Sequence, residues 1–89
     1  MQVQLLYFGI LKDTFTSEGE ILDLDDDARV QDVICLLRAR ASNVQNDMWS
    51  SLAVAVNREY ASLSTVLNDA DEVALLPPVS GGSQKKARR

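Results

Sequence analysis

Only one stretch of this sequence carries a helical period. Val30, Val33, Ile34, Leu37 and Ala41 recur at three- and four-residue steps, which places them on one face of an amphipathic helix. The remaining apolar segments are short or alternate. Val3, Leu5 and Tyr7 fall on one side of a strand beginning near residue 2, with Gln2 and Gln4 on the other. Glu20-Ile21-Leu22-Asp23-Leu24 alternates again and predicts a second strand. The two would form a hairpin through a long loop over residues 9–19, with one helical turn in it.

Beyond the helix, residues 42–51 with Trp49 read as a loop or short helix, and residues 52–56 as a strand. A turn at Asn57-Arg58 leads to a brief strand over residues 59–61. Residues 62–71 read as a connector holding one helical turn. Residues 73–76 form the last strand, stopped by Pro77-Pro78, which have no N–H to donate to a ladder. The order is ββαβ(β)β, which predicts an α+β fold. One long helix packs across one face of a mixed sheet of four to five strands.

Size and composition then limit function. At 89 residues the chain is one domain and hides only about 60% of its unfolded surface, too little to enclose an active site with its own supporting shells. It has no His and one Cys, which excludes Ser-His-Asp and Cys-His nucleophiles, His-containing zinc sites and an internal disulfide. Residues 1–84 hold five basic residues against thirteen acidic ones, a net charge of −8, while Lys85, Lys86, Arg88 and Arg89 crowd the last five positions. An acidic body disfavours nucleic acid and anionic membranes and favours a basic partner surface. Met1-Gln2-Val3-Gln4 does not open a signal peptide, no apolar run approaches the ~20 residues that span a bilayer, and a single free Cys fits a cytoplasmic protein.

Each conspicuous residue has a plain reading beside a functional one. Asp25-Asp26-Asp27 reads as a solvated turn whose charges favour the following helix N-terminus by roughly 0.3–1 kcal/mol each, in preference to a metal site. Cys35 falls on the polar side of the helix wheel, so it is expected to be partly exposed and inert in mid-helix. Phe15 and Trp49 are expected to finish the core. If Val73 and Leu75 face the core, strand parity turns Ala74 and Leu76 outward. The end of the chain carries the sharper signal. Pro77-Pro78 stiffens a segment leaving the last strand, and Gly81-Gly82 supplies a backbone with no Cβ to clash in a narrow slot. Such an arm suits insertion into another protein's active site.

The segment Asp71-Glu72-Val73-Ala74-Leu75-Leu76-Pro77-Pro78-Val79-Ser80-Gly81-Gly82 resembles the C-terminus of the molybdopterin synthase small-subunit family. Leu6-Tyr7-Phe8-Gly9 and Ala55-Val56-Asn57-Arg58-Glu59-Tyr60 resemble it too, so the likeness runs through residues 1–82. The resemblance implies a ubiquitin-like β-grasp domain over 1–76 and an extended arm over 77–82 ending in Gly-Gly, which leaves 83–89 as a basic extension beyond it. It implies a sulfur carrier of molybdenum cofactor biosynthesis. A ubiquitin-activating-type adenylyltransferase, using ATP and Mg, activates the Gly82 carboxylate, and a sulfurtransferase system converts it to a thiocarboxylate. The arm, with Pro77, Pro78, Val79, Ser80 and Gly81 behind Gly82, then enters the molybdopterin synthase large subunit, and sulfur passes to cyclic pyranopterin monophosphate. Leu76 matches a position that contacts the large subunit. The chain itself would bind no cofactor or metal, and the acid–base groups would belong to the partner.

One departure bears on this. Ser83-Gln84-Lys85-Lys86-Ala87-Arg88-Arg89 follows Gly82, so the Gly82 carbonyl is an amide with no carboxylate to activate. Either a C-terminal processing protease removes the tail, or the tail is foreign to the natural chain, or the chain does not carry sulfur. The alternatives are a sulfur carrier for thiamine or tRNA thiolation, and a non-catalytic β-grasp interaction module that keeps its basic tail.

Overall fold

The alternating segments do become strands. A computed structural model of the chain describes residues 1–15, 17–41 and 46–78. It contains β1 (Gln2–Tyr7), α1 (Ile10–Phe15), β2 (Gly19–Asp23), α2 (Val30–Arg40), α3 (Asn46–Ser50), β3 (Ala53–Val56), β4 (Glu59–Ala61) and β5 (Glu72–Leu76). The five strands form one mixed sheet in the order β2-β1-β5-β3-β4. β1 pairs antiparallel with β2 and parallel with β5, Leu5 opposite Val73 and Tyr7 opposite Leu75. β5, the last strand in the chain, is therefore the middle of the sheet.

α2 buries the stripe expected of it: Val30, Val33, Ile34 and Leu37 join Val3, Leu5, Tyr7, Val54, Val73 and Leu75 in one core cluster. Its first turn is anchored by its own residues and by a distant loop. The Asp32 carboxylate accepts from the Arg29 backbone N–H at 2.7 Å. Carbonyls of Thr65 and Leu63 accept from the N–H groups of Val30 and Gln31 at 3.0 and 2.9 Å. These donors would otherwise be orphaned at a helix N-terminus.

That loop corrects one expectation. Residues 62–71 hold no helical turn, because their carbonyls are drawn to the start of α2 and Val66 bridges Arg29. The loop over 9–19 likewise contains more helix than expected, six residues of α1, of which only Leu11 is buried. Trp49 is buried as predicted, and Phe15 is half-buried against the core, stacked on Tyr7 with ring centroids 4.8 Å apart. Cys35 is exposed. Ala74 is buried, contrary to the outward reading of strand parity. It stands outside the core cluster, but Leu6 and Ala55 are its register partners on both sides. A methyl in a central strand, with paired strands on both sides, has little surface left to expose.

Candidate functional site at the base of the arm

Because β1 and β5 run parallel, their C-terminal ends emerge together, and the segment that follows β5 starts where β1 ends. Leu76 closes β5 opposite Ala53, and Pro77 and Pro78 lead away from it. The polar side of β1 turns apolar at this end: Phe8 shares the parity of Gln2, Gln4 and Leu6, and it is 40% exposed. Ile10, at the start of α1, is 55% exposed, and Tyr60, opposite Ala55 across the β3–β4 pair, is 83% exposed. With Met48 of α3 and Ala53, these residues line an open cleft of about 780 Å³ whose far wall is Leu76, Pro77 and Pro78. No charged residue lines it among the described residues. Exposed apolar surface gathered in one place marks an interaction site, and an exposed tyrosine at its rim suits a partner contact.

Leu76, half-buried, and the two prolines are thus brought together as the sequence suggested. Val79, Ser80, Gly81 and Gly82 lie outside the described residues, as does the extension 83–89. Phe8, Ile10, Met48 and Tyr60 were missed. The signal for Phe8 was present: Leu6 and Phe8 break the polar row begun by Gln2 and Gln4. The other three come from separate short elements, and only the strand order joins them.

Behind the cleft, β1 is held by a polar cluster. The Tyr7 hydroxyl donates to Glu20 at 2.5 Å, and the same carboxylate accepts two hydrogen bonds from the Arg40 guanidinium, at 3.1 and 3.2 Å. Arg40 also lies 5.3 Å above the Phe15 ring, within cation–π range. Arg40's hydrogen bonds hold the Glu20 carboxyl below the usual glutamate range. Burial first, and then the Glu20 bond, push the Tyr7 phenol well above its ordinary value. Tyr7 is thus a neutral donor, and the cluster ties β1, β2, α1 and the end of α2 into one unit.

At the opposite end of the sheet a second cleft, of about 660 Å³, is lined by Asp23, Asp25, Asp26, Asp27, Asp32 and Cys35. The Met1 ammonium lies 3.9 Å from Asp26 and donates to the Leu24 carbonyl at 2.9 Å. No three His, Cys, Asp or Glu side chains group as metal ligands among the described residues. No helix among them is long and apolar enough to cross a membrane.

The chain matches the ThiS family over residues 5–82. It is 31% identical over 84 residues to the molybdopterin synthase sulfur carrier subunit of Chlamydomonas reinhardtii, covering 92% of this chain and 100% of that one. Among solved structures it is similar to SAMP1 from Haloferax volcanii, with a TM-score of 0.78 and 28% identity over 92% of this chain and 100% of the other. It also resembles a chain in the complex of subunits 1 and 2 of the molybdopterin-converting factor from Helicobacter pylori. There the TM-score is 0.56 and the identity 29%, over 92% and 100% of the two chains. These neighbours share the ubiquitin-like β-grasp architecture of the mixed sheet crossed by α2, and the family match stops at the second glycine of the arm. The chain belongs to the ThiS family, alongside the sulfur carrier subunits of molybdopterin synthase.

Proposed function

We propose that this chain delivers sulfur as the small subunit of molybdopterin synthase. The observation that carries the reading is the uncharged apolar cleft at the base of a Pro-Pro arm, on a chain whose family match ends at Gly82. A partner large subunit would cover Phe8, Ile10, Tyr60 and Leu76, and the arm would run from Pro77 into its active site with Gly82 leading. Subunits 1 and 2 of the molybdopterin-converting factor from Helicobacter pylori, where a chain similar to this one is found, form a protein–protein complex.

The chemistry follows from what a glycine C-terminus can do. A free Gly82 carboxylate is a poor electrophile. An adenylyltransferase that consumes ATP with Mg would convert it to an acyl adenylate, releasing pyrophosphate. A sulfur donor would then displace AMP and leave a thiocarboxylate, a strong nucleophile at neutral pH. Its sulfur would displace an oxygen substituent from the pterin precursor held by the large subunit, and hydrolysis of the acyl carbon–sulfur bond would leave the sulfur on the pterin and return the carboxylate. With no His in this chain, the proton transfers would fall to residues of the partner. Residues 83–89 must be absent for the first step, so a native tail requires a peptidase that cuts between Gly82 and Ser83.

The test has two parts. Intact mass of the untagged protein from its own host is expected to show a species ending at Gly82, a fraction of it with oxygen replaced by sulfur. The Gly82-ended thiocarboxylate, mixed with the large subunit and cyclic pyranopterin monophosphate, is expected to form the dithiolene. No conversion in that mixture would overturn the reading.

A further inference from the structure

Gly9 follows β1 in a left-handed conformation, with φ of +57°. Its carbonyl already accepts from the Lys12 N–H at 3.1 Å, in the first turn of α1. A Cβ built on Gly9 would lie 3.0 Å from Cγ of Pro77 and 3.9 Å from its Cδ. The first is tighter than ordinary van der Waals contact between carbons. The Pro77 ring therefore packs so closely over Gly9 that a Cβ there would push it aside by a few tenths of an ångström. Backbone conformation alone does not explain the glycine, because Asn also tolerates positive φ. Asp27, Asn57, Arg58 and Ala70 all hold positive φ in this chain without being glycine.

We propose that Gly9 is a positioning residue that sets the direction in which the arm leaves β5. The mechanism is a lever. The Pro77 ring is fused to its own backbone, so a ring that moves carries the chain with it, and φ is locked at both Pro77 and Pro78. The arm therefore loses its φ freedom over its first two residues, and ψ at Pro77 is confined to the extended region by Pro78. Five residues of extended chain beyond Pro77 reach about 16 Å. A turn of about 10° at the base thus moves the end of such a chain by about 3 Å, where even a 1 Å misplacement can cost about a hundredfold in rate. The inference rests on the sulfur-carrier reading, for it is Gly82 whose placement matters.

The experiment uses Gly9→Asn, which adds the Cβ while tolerating the positive φ, together with Pro77→Ala and the double variant. Gly9→Ala serves as a second probe of the same contact. Orientation is read on the full chain, from Cα–Hα residual dipolar couplings of Pro77 and Pro78 relative to the sheet. Function is read on the Gly82-ended form, which keeps every residue of the described fold, as kcat/KM for adenylate formation and as Kd for the large subunit. Gly9→Asn is expected to keep the sheet's amide spectrum, to rotate the arm base, and to lower kcat/KM about tenfold or more. In the Pro77→Ala background the same substitution is expected to cost less than threefold, because the ring it displaces is gone. Unchanged couplings in Gly9→Asn and Gly9→Ala would overturn the inference, as would an equal loss with and without the Pro77 ring. If the unsubstituted Gly82-ended chain is not adenylated at all, the sulfur-carrier reading falls, and the couplings decide the Gly9–Pro77 relation by themselves.

Discussion

The side-chain amide of Asn57 donates to the Asp71 carboxylate at 2.9 Å, across fourteen residues of sequence. Its carbonyl accepts from the Glu72 N–H at 3.0 Å, and its own backbone N–H donates to the Glu72 carbonyl at 2.8 Å. The β3–β4 turn is thus clamped to the start of β5. Asn57 and Arg58 have φ of +51° and +72°, as a two-residue hairpin turn of the primed type requires.

Asn57→Ala removes both side-chain bonds and leaves a residue poorly suited to positive φ. At an exposed site this is expected to cost about 1–2 kcal/mol, or roughly 4–16 °C in Tm for a domain of this size. Asn57→Gly keeps the turn and should lose about half as much. Thermal unfolding of the two variants checks both the loss and its division.

The Tyr7–Glu20–Arg40 cluster makes a pH prediction. Glu20 titrates lower in the folded chain than its unfolded value near ~4.3. In the interval between the two values the unfolded chain has bound a proton that the folded chain has not. The stabilisation from Glu20 is therefore whole at neutral pH and is lost as pH falls below ~4.3 and through the folded value. Both partners are partly exposed, so Glu20→Gln is expected to cost only about 1 kcal/mol at pH 7. Urea titrations of wild type and Glu20→Gln should converge as the pH is lowered. Parallel curves at every pH would refute the assignment.

Tyr60 and Phe8 separate binding from folding. Tyr60 lies on an edge strand and is largely exposed, so Tyr60→Ala should change stability by no more than about 0.5 kcal/mol. The same substitution should weaken binding to the large subunit about tenfold, the ordinary size of an aromatic anchor's truncation. Phe8→Asp places a charge in the uncharged cleft and should weaken it further. Calorimetric titration against the large subunit, with Tm measured alongside, distinguishes these effects.

Cys35 is exposed on α2 and lines the acidic cleft, not the one at the arm base. Its thiol should react stoichiometrically with a maleimide in the native protein. Cys35→Ser should leave stability within about 0.5 kcal/mol and sulfur transfer unchanged.

The elements that proved legible in the sequence are those whose burial is periodic. Val30, Val33, Ile34 and Leu37 repeat along one face, and Val3, Leu5 and Tyr7 alternate, so α2 and β1 could be read directly. α1 could not, because Leu11 is its sole buried residue and a single apolar position has no period. The connector before β5 was misread for a different reason. Its carbonyls of Leu63 and Thr65 are held by α2 amides more than thirty residues away, an attraction that no local pattern records. At the site, Leu76, Pro77 and Pro78 were legible because they are contiguous. Phe8, Ile10, Met48 and Tyr60 meet only because β5 inserts between β1 and β3.

That insertion also fixes when the molecule can exist. β1 and β3 flank a place that stays empty until the strand from Glu72 to Leu76 has been synthesised. Until then the first hairpin and the second have no shared edge, and the core lacks Val73 and Leu75. Pairings between residues nearly seventy positions apart form slowly. The strand that completes the sheet is the same one that leads into Pro77 and Pro78, so a fragment ending before β5 lacks both the finished sheet and the segment that leaves it. Completion of the sheet and placement of the segment that begins at Pro77 thus depend on one and the same strand.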